Sequence, residues 1–182
     1  MCLFDLDGYY KNLKYVEKLE HQHDNPDAIE FADALSHLQQ LKSGRSVEIP
    51  IYNFESHRQE GWRTCHPAPV IIVEGVFAFS MPQLVKEFDI KVWIEADANT
   101  RYQRRKDRDI TARGRDASEV ERRYERDVVP GYQKFIDLTR TIADITIHNS
   151  TDRDTLIERL KPLMAYCDNE LTLENLIGLY RE

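Results

Sequence analysis

The sequence predicts a layered α/β domain, with a mostly parallel sheet and helices on both of its faces. Short apolar runs near residues 1–5, 69–73, 90–95 and 143–147 have the length and character of strands. Stretches with helical spacing of apolar residues lie between them, and such alternation favours layers of helix on sheet. With 182 residues and 41% hydrophobic content, the chain suits one domain with a substantial core, and residues 1–182 are read as a single unit.

Taken in order, Met1-Cys2-Leu3-Phe4-Asp5 reads as the end of a buried strand already closing on carboxylates. Asn25-Pro26-Asp27 supplies a cap, a proline at the first helical position and an early acid, ahead of Ala28, Phe31, Ala32, Leu35 and Leu38 at helical spacing. Gly44 is expected to end that helix. Val47, Ile49 and Ile51 alternate with polar neighbours, as do the residues around Trp62 and Thr64, so 47–64 is expected to form a hairpin-like flap. Pro69-Val70-Ile71-Ile72-Val73, bounded by Pro67 and Gly75, reads as a central strand buried on both faces. Helices are expected at 83–88, at 99–109 and from 118 toward 138, the last broken or kinked at Pro130. Leu156, Leu160, Leu163 and Met164 mark one face of a helix in a C-terminal helical segment, 151–182, in which 171–180 adds a final turn or two.

The formal net charge of -7 argues against a general nucleic-acid or anionic-membrane binder, so neither partner is expected. No apolar stretch approaches the roughly 20 residues of a membrane span, and no basic-then-apolar leader opens the chain. Cys2, Cys65 and Cys167 are odd in number and widely spaced, which suits reduced thiols and a cytoplasmic location.

Several residues carry chemical possibilities. Val73-Glu74-Gly75 puts a carboxylate at the carboxyl edge of a parallel strand, where α/β proteins bind ligands, and Asp5 and Asp7 occupy the corresponding edge of the first strand. Such carboxylates can hold magnesium or accept a proton, although turn capping is their commoner use. Arginine is dense from 101 to 126, and pairing with Asp107, Asp109 and Glu119 along a solvated helix explains part of this. Arg113-Gly114-Arg115 falls in a break between helices, where two guanidinium groups can close over phosphates, so 104–116 is read as an arginine lid. Tyr52, Phe54 and His57 combine flat apolar surface with polar ends, as a pocket for a planar base requires. His66 and His148 have no comparable company and are read as structural.

These residues fall into motifs that resemble the uridine kinases, a group within the phosphoribulokinase/uridine kinase branch of P-loop kinases. Asp7-Gly8-Tyr9-Tyr10-Lys11 is similar to the family's Asp-Ser-Phe-Tyr segment, and Asp24-Asn25-Pro26-Asp27-Ala28 to its Asp-His-Pro-Asp-Ala. Ile49-Pro50-Ile51-Tyr52-Asn53-Phe54-Glu55-Ser56-His57 resembles Ile-Pro-x-Tyr-x-Phe-x-x-His; Val73-Glu74-Gly75-Val76-Phe77-Ala78 and Arg104-Arg105-Lys106-Asp107-Arg108-Asp109-Ile110 with Arg113-Gly114-Arg115-Asp116 follow in family order. The resemblance implies phosphorylation of uridine or cytidine at the 5'-hydroxyl, with ATP or GTP and magnesium as cofactors and a homo-oligomer, commonly a tetramer. It implies Asp7 as the base and Asp24 at the ribose. Tyr10, Tyr52, Phe54, His57, Arg105, Arg115 and Arg123 would bind the nucleoside, Arg108 and Arg113 the phosphates, and Glu74 with Asp7 the magnesium.

The chain departs from the pattern at His23, Asn25, Gly8 and Arg123, which bear on substrate identity. No Gly-x-x-x-x-Gly-Lys-[Ser/Thr] occurs in the 182 residues; Ser43-Gly44-Arg45-Ser46 lacks its spacing and its preceding strand. In the family that loop lies upstream of the Asp7 segment. The resemblance therefore implies a fold missing its first strand, phosphate loop and first helix, and a chain that is marginally stable and catalytically silent by itself. Two other readings remain: a pseudokinase or interaction subunit that keeps the nucleoside pocket, and a phosphoribulokinase-like enzyme acting on a sugar phosphate. The aromatic cluster counts against the second, since a sugar phosphate offers no base to stack.

Overall fold

The computed structural model describes residues 1–150 and 152–180. β1 (Cys2–Asp5) runs straight into a 3-10 turn, Leu6–Tyr9, because the Asp5 carboxylate accepts the Asp7 N–H at 2.7 Å and so caps the turn. After α1 (Leu13–Val16), Asn25 accepts the Asp27 N–H as expected of a cap, but it opens only a 3-10 turn, Pro26–Ala28. The helix itself, α2 (Phe31–Lys42), begins later, after Ile29 has formed a bridge to Tyr10 that requires extended backbone. β2 (Val47–Asn53) and β3 (Arg58–Cys65) make the expected hairpin, followed by β4 (Ile71–Glu74), α3 (Pro82–Val85) and β5 (Val92–Glu95).

α4 (Ala98–Thr111) is capped by Asp97 and α5 (Ala117–Arg123) by Asp116. Beyond α5 the expected break at Pro130 does not occur. Helical backbone continues through two widened π-type segments, Tyr124–Val128 and Tyr132–Ile136, on either side of α6 (Val129–Gly131), and then a 3-10 stretch, Asp137–Ile142. The widened turns accommodate a residue that has no N–H to donate. β6 (Ile145–His148), α7 (Arg153–Cys167) and α8 (Leu173–Leu179) complete the order. Of the expected helical segment 151–182, residues 151 and 181–182 lie outside the described residues.

The strands form three two-stranded sheets. β1 pairs in parallel with β4, placing Asp5 opposite Glu74, and β5 pairs in parallel with β6. The α/β layering with parallel strands is thus present as two pairs, separated by a cleft of about 1220 Å³ lined by Ile71, Val73, Glu74, Val92 and Ile94 among others. This cleft is why β4 is not buried on both faces: Ile72 remains 40% exposed.

Most of the core belongs to the β1 side, where Phe4, Leu6, Tyr9, Leu38, Leu41 and Ile49 are fully buried together. A smaller cluster joins Ile145 and Ile147 to Leu176, with Leu156, Leu160 and Leu163 packed against it; Met164 is 60% exposed and stands off this face. Cys2 and Cys65 are bonded as a disulfide, with Cα atoms 6.7 Å apart, which corrects the expectation of three reduced thiols. The end of β3 returns to β1, where Arg63 Nη2 also donates to the Leu3 carbonyl at 3.1 Å, so residues 63 positions apart in sequence become neighbours. Cys167 is a free thiol.

Candidate active site

The hairpin brings the aromatic residues inward through a change of phase. Along β2 the alternation buries Val47 and Ile49, and continuing it would bury Ile51. The alternation breaks at Pro50, which is buried beside Ile49, so Ile51 is left 48% exposed and Tyr52 is buried; the register then shifts between Ile51 and Tyr52, where Glu60 of β3 is the extra residue. The hairpin can then close on the Leu6–Tyr9 turn because residue 8 is glycine: a Cβ there would lie 2.2 Å from the Pro50 carbonyl oxygen. Gln59 Nε2 donates to the Gly8 carbonyl at 3.3 Å from the other strand.

Under this closure Tyr10, Tyr52 and Phe54 pack edge to face or tilted, with centroids 5.2 to 6.1 Å apart. His23 joins them, its Nε2 3.2 Å from the Tyr52 hydroxyl and its ring 4.8 Å from that of His57. Burial, then the His57 ring and nearby arginines, push the His23 pKa down to about 3, so the ring is neutral at physiological pH. Burial and Arg115 lower His57 as well. The Nδ1 atoms of both are buried and without a protein partner. Sequence reasoning noted His23 only as a departure, because its partners come from the distant hairpin.

At the carboxyl edge of the β1–β4 pair, Asp5, Asp7 and Glu74 come within electrostatic reach of one another. Burial raises Asp7 to about 6, Asp5 adds to the rise, and Arg113 and Arg108 offset it. Burial also lifts Glu74 to about 7, helped by Asp5 and Asp7. An acid so placed can take up a proton near neutral pH. Among the described residues no group of three or more His, Cys, Asp and Glu side chains forms a metal cage. The donor chemistry of Asp7 and Glu74 nevertheless fits magnesium, which is commonly held through one or two carboxylates together with water and substrate phosphates.

The lid meets this edge and the hairpin at once. The Arg113 guanidinium lies over the Phe54 ring, 4.1 Å from its centroid. Arg105 Nη1 donates to Asp24 Oδ1 at 3.4 Å. Burial raises the pKa of Asp24, against which Arg105 and Arg123 pull it down. Gly131 backs Asp24 closely: a Cβ at residue 131 would lie 2.4 Å from the Asp24 carbonyl oxygen. Arg123 itself pairs with Glu119 at 3.9 Å. Arg108, Arg113 and Arg115 all donate to Asp109, which is 1% exposed. In the sequence Asp109 reads as one more acid on a solvated helix, and only the folding back of the 112–116 loop reveals it as buried.

Comparison with known proteins adds the following. Residues 5–156 match the phosphoribulokinase/uridine kinase family. The chain is 36% identical over 172 residues to a uridine kinase of Macrococcus caseolyticus, covering 90% of this chain and 84% of that one. It is also 36% identical over 164 residues to uridine-cytidine kinase-like 1 of Mus musculus, covering 87% of this chain but only 30% of that protein's length. Phosphoribulokinase from Rhodobacter spheroides superposes with a TM-score of 0.60 at 14% identity, over 80% of this chain and 59% of that one, a likeness of fold.

Proposed function

Because the chain belongs to the phosphoribulokinase/uridine kinase family, we propose that it binds a pyrimidine nucleoside, uridine or cytidine, as the acceptor of a phosphoryl group from ATP or GTP at the 5'-hydroxyl, a step of pyrimidine salvage. The observation that carries this reading is the meeting of Asp7, the Tyr52/Phe54/His57 hairpin and the Arg108/Arg113 lid at one sheet edge. In it Asp7 receives the hydroxyl proton and Asp24 accepts from the ribose hydroxyls. Tyr10, Tyr52, Phe54 and His57 hold the base, assisted by Arg105, Arg115 and Arg123. Arg108 and Arg113 face the phosphates. Magnesium, held by Glu74 and Asp7, would neutralise phosphate charge as it moves.

Alignment of the donor requires a phosphate-binding loop, which residues 1–182 do not contain. The cleft between β4 and β5, with Glu74 and Gly75 on its lining, is where a strand carrying such a loop fits. The 182 residues by themselves are therefore proposed to bind nucleoside without transferring phosphate. Their proposed location is the cytoplasm, although the Cys2–Cys65 disulfide does not speak for it; among the described residues no helix is long and apolar enough to cross a membrane. The pseudokinase reading draws on the same missing loop. The test is ATP-dependent uridine phosphorylation by the chain as it stands, by a version extended with a strand, phosphate loop and helix, and by that version with Asp7→Asn. Activity confined to the extended form and reduced about 10²- to 10⁴-fold by Asp7→Asn supports the kinase. Activity in the unextended chain contradicts the role given to the loop, and silence in both favours the pseudokinase.

A further inference from the structure

Four arginines of the lid crowd around one buried carboxylate. Asp109 Oδ1 accepts from Arg108 Nε and Nη2 at 3.1 and 3.0 Å and from Arg113 Nη1 at 3.1 Å. Asp109 Oδ2 accepts from Arg115 Nη1 at 3.1 Å and has Arg105 Nε at 3.7 Å. The Asp109 main-chain carbonyl also accepts the Arg115 N–H at 3.0 Å, pinning the loop that follows α4. Three of these arginines have a second engagement or a free face. Arg113 stacks on Phe54, Arg105 reaches Asp24, and Arg108 keeps half of its side chain in solvent.

We infer that Asp109 is the positioning residue of the lid, fixing the mutual spacing of Arg105, Arg108, Arg113 and Arg115 so that the cluster presents a preformed anion site beside Asp7. Two carboxylates, Asp109 and the Asp24 that meets Arg105, against four guanidinium groups leave the cluster positive, and without Asp109 mutual repulsion would splay it. This rests on the kinase reading for the identity of the anion, a polyphosphate, but the ordering of the lid can be tested separately.

Two arms are measured on the full chain: affinity for inorganic tripolyphosphate, and the rate of trypsin cleavage after Arg113 and Arg115. Asp109→Asn removes the charge and Asp109→Glu keeps it one methylene out of place. Positioning predicts that both variants bind tripolyphosphate about tenfold or more weakly, as expected when a charge-assisted contact is lost. It also predicts faster cleavage at Arg113 and Arg115 than at sites in the core. A role through charge alone predicts the reverse for Asp109→Asn, since deleting a negative charge should tighten anion binding. Tighter binding, or unchanged affinity in Asp109→Glu, overturns the inference, as does unfolding of both variants, which would make Asp109 purely structural. If the wild type binds no tripolyphosphate, the preformed anion site is overturned, while the kinase reading is decided by the phosphorylation assay on the extended chain; lid cleavage then still decides whether Asp109 orders the loop, and an unchanged rate overturns that.

Discussion

The two halves of the molecule differ in how completely they are built. Around β1, β2, β3 and α2, large apolar side chains interlock and the aromatic residues hold one another in place. Around β5 and β6 the fully buried cluster is small, and the strands face a cleft on the side toward β4. The first half carries the residues assigned to the nucleoside. The second borders the place assigned to the phosphate donor. On the proposed reading, recognition of the nucleoside rests on the well-packed half, and the phosphate donor would lie toward the half with the open cleft.

The contrast is broken most strongly by attacking each core. Phe4→Ala should cost about 3 to 5 kcal/mol, because the ring is wholly buried against Tyr9 with centroids 5.5 Å apart, and it should unfold the hairpin with the rest of its half. Leu176→Ala should cost about 2 to 3 kcal/mol, toward the lower end for a buried leucine, since its cluster is small. Hydrogen exchange would then show protection lost around β6 and α8 but retained in β2 and β3. Equal loss in both regions would mean that they unfold as one unit.

A smaller effect isolates the seat of the hairpin. Gly8→Ala drives a methyl into the Pro50 carbonyl and should destabilise by about 1 to 3 kcal/mol, as overpacking does. The same change should raise the exposure of Tyr52 to solvent, measurable by its fluorescence. An unperturbed melt would show that the hairpin is free to lift.

The site was partly legible in the sequence, and the reasons for the gaps are physical. Alternation in 47–64 announced the hairpin, yet the change of phase at Pro50 that buries Tyr52 has no local signature, since Pro50 is covered by the distant Gly8 turn. Asn25 was recognisable as a cap, but a cap does not say whether the turn it opens continues; the Tyr10–Ile29 bridge ended this one. Pro130 suggested a break because the widened turns beside it depend on the surrounding packing. Asp109 and the Cys2–Cys65 bond rest on chain segments folding back, which spacing alone does not reveal.

The acids at the shared edge provide a subtler probe. Asp7 holds its proton up to about pH 6, above the 3.8 of an unperturbed carboxyl, so the folded chain binds it more tightly than the unfolded chain does. Its contribution to stability is full below about pH 4 and is lost as the pH rises through 6. Asp7→Asn should therefore gain about 1 to 2 kcal/mol over the wild type at pH 8 and little at pH 4, as read from urea melts. Glu74→Gln should move the same way by less: although its surroundings raise Glu74, it keeps more of its surface in water than Asp7 does, and water screens it. A variant less stable than the wild type at pH 8 would show that the arginines outweigh burial.

On the proposed reading, every residue assigned to the nucleoside lies within these 182 residues. Calorimetric titration of uridine into the unextended chain and its His57→Ala variant tests it most directly. Measurable binding by the wild type without any added nucleotide is expected, and a loss of about 1 to 3 kcal/mol in the variant through removal of a half-buried polar ring whose Nδ1 is buried. No binding by a folded wild type, or equal affinity in the two proteins, would contradict it.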